Sequence, residues 1–255
     1  MPAREKRKNT ANTATGSRDA MARSKGARID AEEVVARLRS LAQPGNLEGM
    51  ARFGIPTEHA LGISLPVLRK LAKEIGRGHA LAGELWATGI HEARMLATMV
   101  DDPAQVTDAQ METWVRDFAS WDICDQCCSN LFDSTPHAYR KVREWSSREE
   151  EFVKRAGFVL MATLSVHDKK ADDLVFRGFF PIIIREATDD RTYVRKAVNW
   201  ALRQIGKRNR TLNQEAIRVA EEIRAIDSRA ARWIASDALR ELQGEKVQLR
   251  LEEKG

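Results

Sequence analysis

Residues 194–205 read VRKAVNWALRQI and have the apolar spacing of an amphipathic α-helix. At about 100° per residue, one face gathers Val194, Ala197, Val198, Ala201, Leu202 and Ile205. The opposite face gathers Lys196, Trp200, Arg203 and Lys207. We therefore expect Trp200 to face away from the core, in the middle of a basic stripe.

Parts of this stretch recur elsewhere in the chain. WALRQI at 200–205 resembles DALREL at 237–242, 37 positions later, and VKRA at 153–156 precedes VRKA at 194–197 by 41. Spacings in the high thirties to low forties are typical of the helix pairs in HEAT or armadillo arrays, where each pair buries its apolar face against its neighbours. We therefore predict an all-α fold, a curved α-solenoid of HEAT-like antiparallel helix pairs.

The pattern is helical from about residue 30 onward, and no run alternates like a strand. Typical N-cap residues predict helix starts at Ser64, Thr107, Thr135, Asp190 and Thr211. We predict a disordered basic tail over residues 1–28, a single HEAT-like repeat domain over 29–245 and a C-terminal tail over 246–255. Met21 is an alternative start, which would shorten the basic tail.

The distribution of charge is more informative than its total. The net charge is +5, but residues 1–28 hold eight Lys and Arg against two acids, so residues 29–255 carry a net charge of −1. Bulk charge therefore does not mark the folded part as DNA-binding. Residues 190–210 differ, because they hold seven Lys and Arg against Asp190 alone. A large ring among cations suits a surface that contacts nucleic acid, and we predict that DNA is bound by Lys196, Arg203, Lys207 and Arg208.

No apolar run approaches the ~18 residues that a membrane span requires, and no apolar segment follows the basic start. We expect a cytoplasmic, nucleoid-associated protein without a membrane partner, and a monomer. The three cysteines, Cys124, Cys127 and Cys128, lie too close together for a long-range disulfide framework. They fall on an apolar stripe and are explained by core packing, whereas a zinc site would need further ligands. We expect neither a metal nor a cofactor.

Trp121 and Asp125 are four residues apart and therefore lie on the same side of a helix. Asp125 could be an acid that favours the helix dipole, with Trp121 as an aromatic at the edge of the core, or the two could belong to a functional site. Arg155 stands near the start of a very apolar helix and needs an anionic partner. A salt bridge with Asp125 or Asp122 and a contact with a DNA phosphate are equally good interpretations.

Four segments together resemble the DNA alkylation repair family, which contains alkylpurine DNA glycosylases built from HEAT-like helix pairs. The resemblance covers roughly residues 45–242. It is carried by GISLPVLR at 62–69, WDICD at 121–125, KRA at 154–156 and RKAVNWALR at 195–203. The order and spacing of the segments are specific, although no single one is. The family often has paired tryptophans before its acid, whereas Ser120 precedes Trp121 here.

The resemblance implies Asp125 as the catalytic carboxylate, Trp121 and Trp200 as aromatic walls of a cleft, and Arg155 as a phosphate or cleft contact. It implies a DNA glycosylase that hydrolyses the N-glycosidic bond of cationic N3- or N7-alkylated purines in duplex DNA, without flipping the base. A catalytically silent relative that binds DNA, or branched DNA, is one alternative, because a fold does not establish chemistry. A helical-repeat scaffold for a protein partner is another.

Overall fold

The computed structural model describes residues 29–253, which form fifteen α-helices and contain no strand. The predicted tail at 1–28 therefore lies outside the described residues. The helices are α1 Ala31–Ser40, α2 Leu47–Arg52, α3 Leu65–Ile75, α4 His79–Ala87, α5 His91–Val100, α6 Asp108–Arg116, α7 Trp121–Asn130, α8 Ala138–Trp145, α9 Glu151–His167, α10 Asp173–Arg177, α11 Phe180–Arg185, α12 Thr192–Gly206, α13 Arg210–Arg224, α14 Arg229–Leu242 and α15 Glu245–Glu252. The all-α prediction is confirmed.

Two of the predicted helix starts are N-caps. Ser64 precedes α3, and the Thr107 side chain accepts a hydrogen bond from the backbone N–H of Gln110 in the first turn of α6. The other three predictions, Thr135, Asp190 and Thr211, are wrong by one or two residues, because the caps are His137, Arg191 and Asn209. Asn209 accepts from the N–H of Leu212, so the cap of α13 follows the expected chemistry from a residue two positions earlier.

Five helices, α5, α7, α9, α12 and α14, pack side by side in chain order and form a central row. The helices α4, α8 and α13 pack against this row as a second layer. Hydrogen bonds join α12 to α14 at a constant offset of 38 residues, from Asn199 to Asp237 and from Arg203 to Glu241. A constant offset along both helices means that they run parallel, one repeat apart. This 38-residue offset is close to the spacings of 37 and 41 seen in the sequence.

The middle of the row is α9, in which every residue from Val153 to Ser165 is buried. Gly157 allows this helix to approach α8 closely, since a Cβ at that position would lie 2.6 Å from the backbone nitrogen of Ser146. The buried apolar side chains form one contiguous cluster from Val34 to Leu242, and it includes all three cysteines. Burial raises the pKa of the Cys127 and Cys128 thiols well above the ordinary value. The interpretation of the cysteines as core residues is therefore supported.

The helical array continues past the predicted domain boundary at residue 245. Helix α15 occupies most of the segment predicted as a C-terminal tail, and Leu251 on this helix is buried. The Gln248 amide donates hydrogen bonds to the Asn213 side chain and to the Leu242 carbonyl. Among residues 29–253, no helix has the length and apolar character needed to cross a membrane.

Candidate functional site

Asp125 and Arg155 form a two-pronged ion pair between α7 and α9. Asp125 Oδ1 accepts from Arg155 Nε at 2.9 Å, and Oδ2 accepts from Nη2 at 2.8 Å. The third nitrogen, Arg155 Nη1, donates to the Tyr193 carbonyl at 2.6 Å, at the start of α12. Arg155 thus joins three helices of the central row. Of the two interpretations of Arg155, the interhelical salt bridge is present.

The carboxylate is the more accessible member of this pair. The Asp125 side chain is 16% exposed and that of Arg155 is 6% exposed. Burial raises the pKa of Asp125 above its ordinary value, although the guanidinium of Arg155 acts in the opposite direction. Such a bidentate pair fixes the plane of the carboxylate as well as its position.

An open cleft of about 620 Å³ leads to this carboxylate; we call it the Asp125 cleft. Its lining comes from the end of α2 and the segment after it, and from α7, α9 and α12. It comprises Ala51, Arg52, Phe53, Gly54, Trp121, Asp125, Arg155, Thr192, Tyr193 and Lys196. Lys196 is exposed and has no carboxylate within ion-pair distance among residues 29–253. The structure therefore brings Trp121, Asp125, Arg155 and Lys196 into one site.

Trp121 is held in place by the N-terminal part of the chain. Its indole Nε1 donates to the Phe53 carbonyl at 2.9 Å, across 68 positions of sequence. Phe53 itself is 71% exposed at the mouth of the cleft. The connection before α3 is in turn fixed by the buried carboxylate of Glu92, which accepts from the backbone N–H groups of Leu61, Gly62 and Ile63.

Sequence reasoning missed Phe53, Gly54 and Tyr193. Gly54 has a positive φ of 74°, and a Cβ at this position would lie 2.2 Å from the Tyr193 hydroxyl. The segment after α2 therefore packs directly on the start of α12. The glycine was the only available signal in the sequence, and a glycine alone does not reveal which distant residue it approaches.

A second acid adjoins the cleft without lining it. Asp122 accepts from the Ser120 hydroxyl at 2.5 Å and contacts His91 Nε2 at 2.9 Å. Burial acts to raise the pKa of Asp122, but the hydrogen bond and charge of His91 and the hydrogen bonds from Ser120 and the Ile123 backbone together outweigh it, and the net shift is downward. Asp122 is therefore paired with His91, whereas Arg155 pairs with Asp125.

The expected orientation of Trp200 is wrong. Trp200 is half-buried and packs against the core cluster, because α12 has a neighbour on each side, α9 and α14. Trp200 follows Lys196 by one helical turn, so the two side chains lie on the same side of α12. No hydrogen bond or ion pair links Trp200 to Asp125 or Arg155 in the described part of the chain.

The remaining cations of the predicted basic stripe have partners within the protein. Arg203 and Lys207 both pair with Glu241 on α14. Arg208 donates to the carbonyls of Ser165, Asp168 and Ala171 and thus ties the end of α12 to the connection after α9. DNA binding by these three residues remains a prediction. Their charged groups already contact Glu241 or backbone carbonyls within the protein.

The fold resembles that of a solved structure described as a new family of proteins related to the HEAT-like repeat DNA glycosylases with affinity for branched DNA structures. The TM-score is 0.72 and the identity 18%, over 88% of this chain and 96% of the other. This likeness confirms the HEAT-like α-solenoid. No curated protein matches the chain.

The family described as DNA alkylation repair enzyme matches residues 34–242. This range takes in the whole central row and every residue of the Asp125 cleft. The chain belongs to this family of DNA alkylation repair enzymes, as its sequence segments predicted.

Proposed function

We propose that the chain is a DNA glycosylase that hydrolyses the N-glycosidic bond of cationic N3- or N7-alkylated purines in duplex DNA. Membership in the DNA alkylation repair family supports DNA as the partner. The observation that carries the proposal is the Asp125 carboxylate, which is oriented by Arg155 at the base of an open cleft with aromatic and cationic walls.

A purine alkylated at N3 or N7 already carries positive charge, so it leaves without protonation by the enzyme. The enzyme must instead stabilise the positive charge that develops on the sugar, and a carboxylate does this. At about 4 Å and an effective dielectric of about 20, the attraction is about 4 kcal/mol. This corresponds to roughly a thousandfold in rate.

Arg155 reduces that attraction but does not cancel it. A sugar on the open side of Asp125 is about 8 Å from the guanidinium, where the repulsion at the same dielectric is about 2 kcal/mol. The remaining ~2 kcal/mol corresponds to an acceleration of roughly 30-fold. Such modest help releases a labile cationic base and leaves intact nucleotides untouched, so selectivity follows from the lesion's own charge.

The walls of the cleft suit a damaged nucleotide in a duplex. Trp121 and the exposed ring of Phe53 offer flat apolar surfaces to the sugar, and Lys196 offers a cation to the backbone phosphate. Trp200 lies one turn beyond Lys196 and extends the same side of α12. An open cleft fits a mechanism in which the base remains in the duplex.

Release of free base from duplex DNA containing 7-methylguanine tests the proposal. Asp125→Asn is nearly isosteric but uncharged, so it should lose between about 30-fold and a thousandfold in release rate while it still binds DNA. Asp227→Asn is the matched control, because Asp227 is fully exposed and pairs only with Arg232. Wild-type release rates in Asp125→Asn would remove Asp125 from the reaction.

A catalytically silent DNA-binding protein is the second candidate. Both oxygens of Asp125 are engaged by Arg155, which is what a purely structural ion pair would show. The solved structure with the same fold comes from a family described by its affinity for branched DNA. Duplex binding without base release by the wild type would favour this candidate.

A further inference from the structure

The end of the array formed by α12, α14 and α15 has a second concave surface. Two hollows of about 510 and 630 Å³ adjoin one another there and share Lys207 and Arg250 in their linings. Together we call them the C-terminal cleft. Seven Lys and Arg side chains line the C-terminal cleft, against three carboxylates, so its lining carries a net positive charge.

The three carboxylates are all taken by four of these cations. Glu241 pairs with Arg203 and Lys207, Asp237 pairs with Arg240, and Asp173 lies 3.8 Å from Arg208. Lys169, Lys246 and Arg250 remain, and in residues 29–253 no carboxylate lies within ion-pair distance of them. All three are exposed. They are therefore available to an anion from outside the protein.

The C-terminal cleft is separate from the Asp125 cleft but belongs to the same helix row. Lys196 lines the Asp125 cleft, and Lys207, eleven residues later at the C-cap of α12, lines the C-terminal cleft. At 1.5 Å per residue, the two positions are about 16 Å apart along the helix axis. The DNA major groove is about 12 Å wide, so two backbone segments of one DNA molecule can reach both clefts.

We propose that the C-terminal cleft is a second phosphate-binding surface, which holds DNA backbone away from the damaged nucleotide. Several separate cations around two joined hollows match an anion with charges at regular spacing, and the phosphodiester backbone has this property. This inference rests on the proposed action on DNA. It gives the protein a contact that positions the duplex without touching the reacting bond.

The double variant Lys246→Glu/Arg250→Glu tests the proposal by binding to a long unmodified duplex over a range of salt concentrations. The affinity should fall about tenfold or more, and the dependence of log affinity on log salt should lose a slope of about 2. The control is Arg218→Glu/Arg224→Glu, which makes the same charge change at exposed positions on α13, in the second layer. Equal affinity of the two double variants would overturn the proposal.

The reaction provides an independent readout. The protein concentration that gives half-maximal release of 7-methylguanine should rise in Lys246→Glu/Arg250→Glu by about the factor by which its duplex affinity falls, since the C-terminal cleft acts through binding. A wild type that binds DNA but releases no base would refute the glycosylase, and the binding comparison would still decide the C-terminal cleft. Binding to vesicles containing phosphatidylserine separates a membrane from DNA. Loss of vesicle binding with unchanged DNA affinity would also overturn the proposal.

Discussion

The Asp125 cleft and the C-terminal cleft both depend on α12, yet they use ion pairs in different ways. In the Asp125 cleft a single pair is buried and joined to three helices, so its geometry is rigid. In the C-terminal cleft the carboxylates pair with exposed or half-buried cations. Three further cations, Lys169, Lys246 and Arg250, have no carboxylate within ion-pair distance among residues 29–253. A buried charge must be paired because its desolvation is costly, whereas surface charges remain free to exchange partners.

Under the proposed function, this difference suits the two regions to different tasks. A carboxylate that must face a developing positive charge benefits from fixed orientation, because no reorganisation is then needed during the reaction. A surface that holds a flexible polyanion benefits from cations on long side chains that adapt to it. The same row of helices thus supplies one rigid site and one adaptable surface.

Removal of Arg155 should have the largest effect, because it breaks the rigid pair. Arg155→Gln leaves the Asp125 carboxylate buried without a counter-charge, at a cost of about 3–5 kcal/mol of folding free energy. The guanidinium acts to lower the pKa of Asp125, so its loss moves that pKa further upward. Thermal unfolding and the pH profile of base release measure these two effects.

The sign of the pH effect follows from the charge that the reaction needs. The proposed reaction requires ionised Asp125, so its rate should fall as pH falls through the Asp125 pKa, which burial already raises. In Arg155→Gln this acidic limb should move to higher pH, and Arg155→Lys, which keeps a positive charge, should move it less. An unchanged limb in both variants would show that Arg155 does not position or charge Asp125.

The substitution Gly54→Ala tests whether base release depends on the shape of the Asp125 cleft. Gly54→Ala introduces a positive-φ strain of about 1–2 kcal/mol and pushes the Tyr193 hydroxyl away. Gly89→Ala is the matched control, because Gly89 has a similar φ of 70° and no atom within 4 Å of its Cβ position. Both should lose similar stability, but only Gly54→Ala should slow base release, by up to about a hundredfold. Equal rates of base release in Gly54→Ala and Gly89→Ala would show that the segment after α2 does not contribute to the reaction.

The smallest expected effect compares single cations from the two regions. Lys196→Ala removes an unpaired cation and should reduce the salt slope of duplex binding by about 1. Lys207→Ala should reduce the salt slope less, because Lys207 is already paired with Glu241 and is therefore less available to a phosphate. Glu241 keeps Arg203 as a partner in this variant. Binding titrations at several salt concentrations distinguish the two, and a larger effect of Lys207→Ala would reverse the assignment of free and engaged cations.

The sequence by itself determined the helices, their repeat spacing and the family. Apolar residues at a period of 3.6 mark a helix wherever it packs, and repeats of 37 and 41 positions reflect the length of one helix pair. It also named Asp125 and Arg155 as residues of interest, because an arginine in a very apolar helix needs an anion. These signals are local or periodic, so they can be recognised in the sequence without knowledge of the neighbouring helices.

Only the tertiary structure decided which charges meet. In the folded chain Arg155 pairs with Asp125 and not with Asp122. Glu241 pairs with Arg203 and Lys207. Trp200 packs partly against the core. Pairs of this kind depend on the register between helices 30 to 38 residues apart. That register is set by how whole helices pack together, and the pattern within any one helix does not contain it.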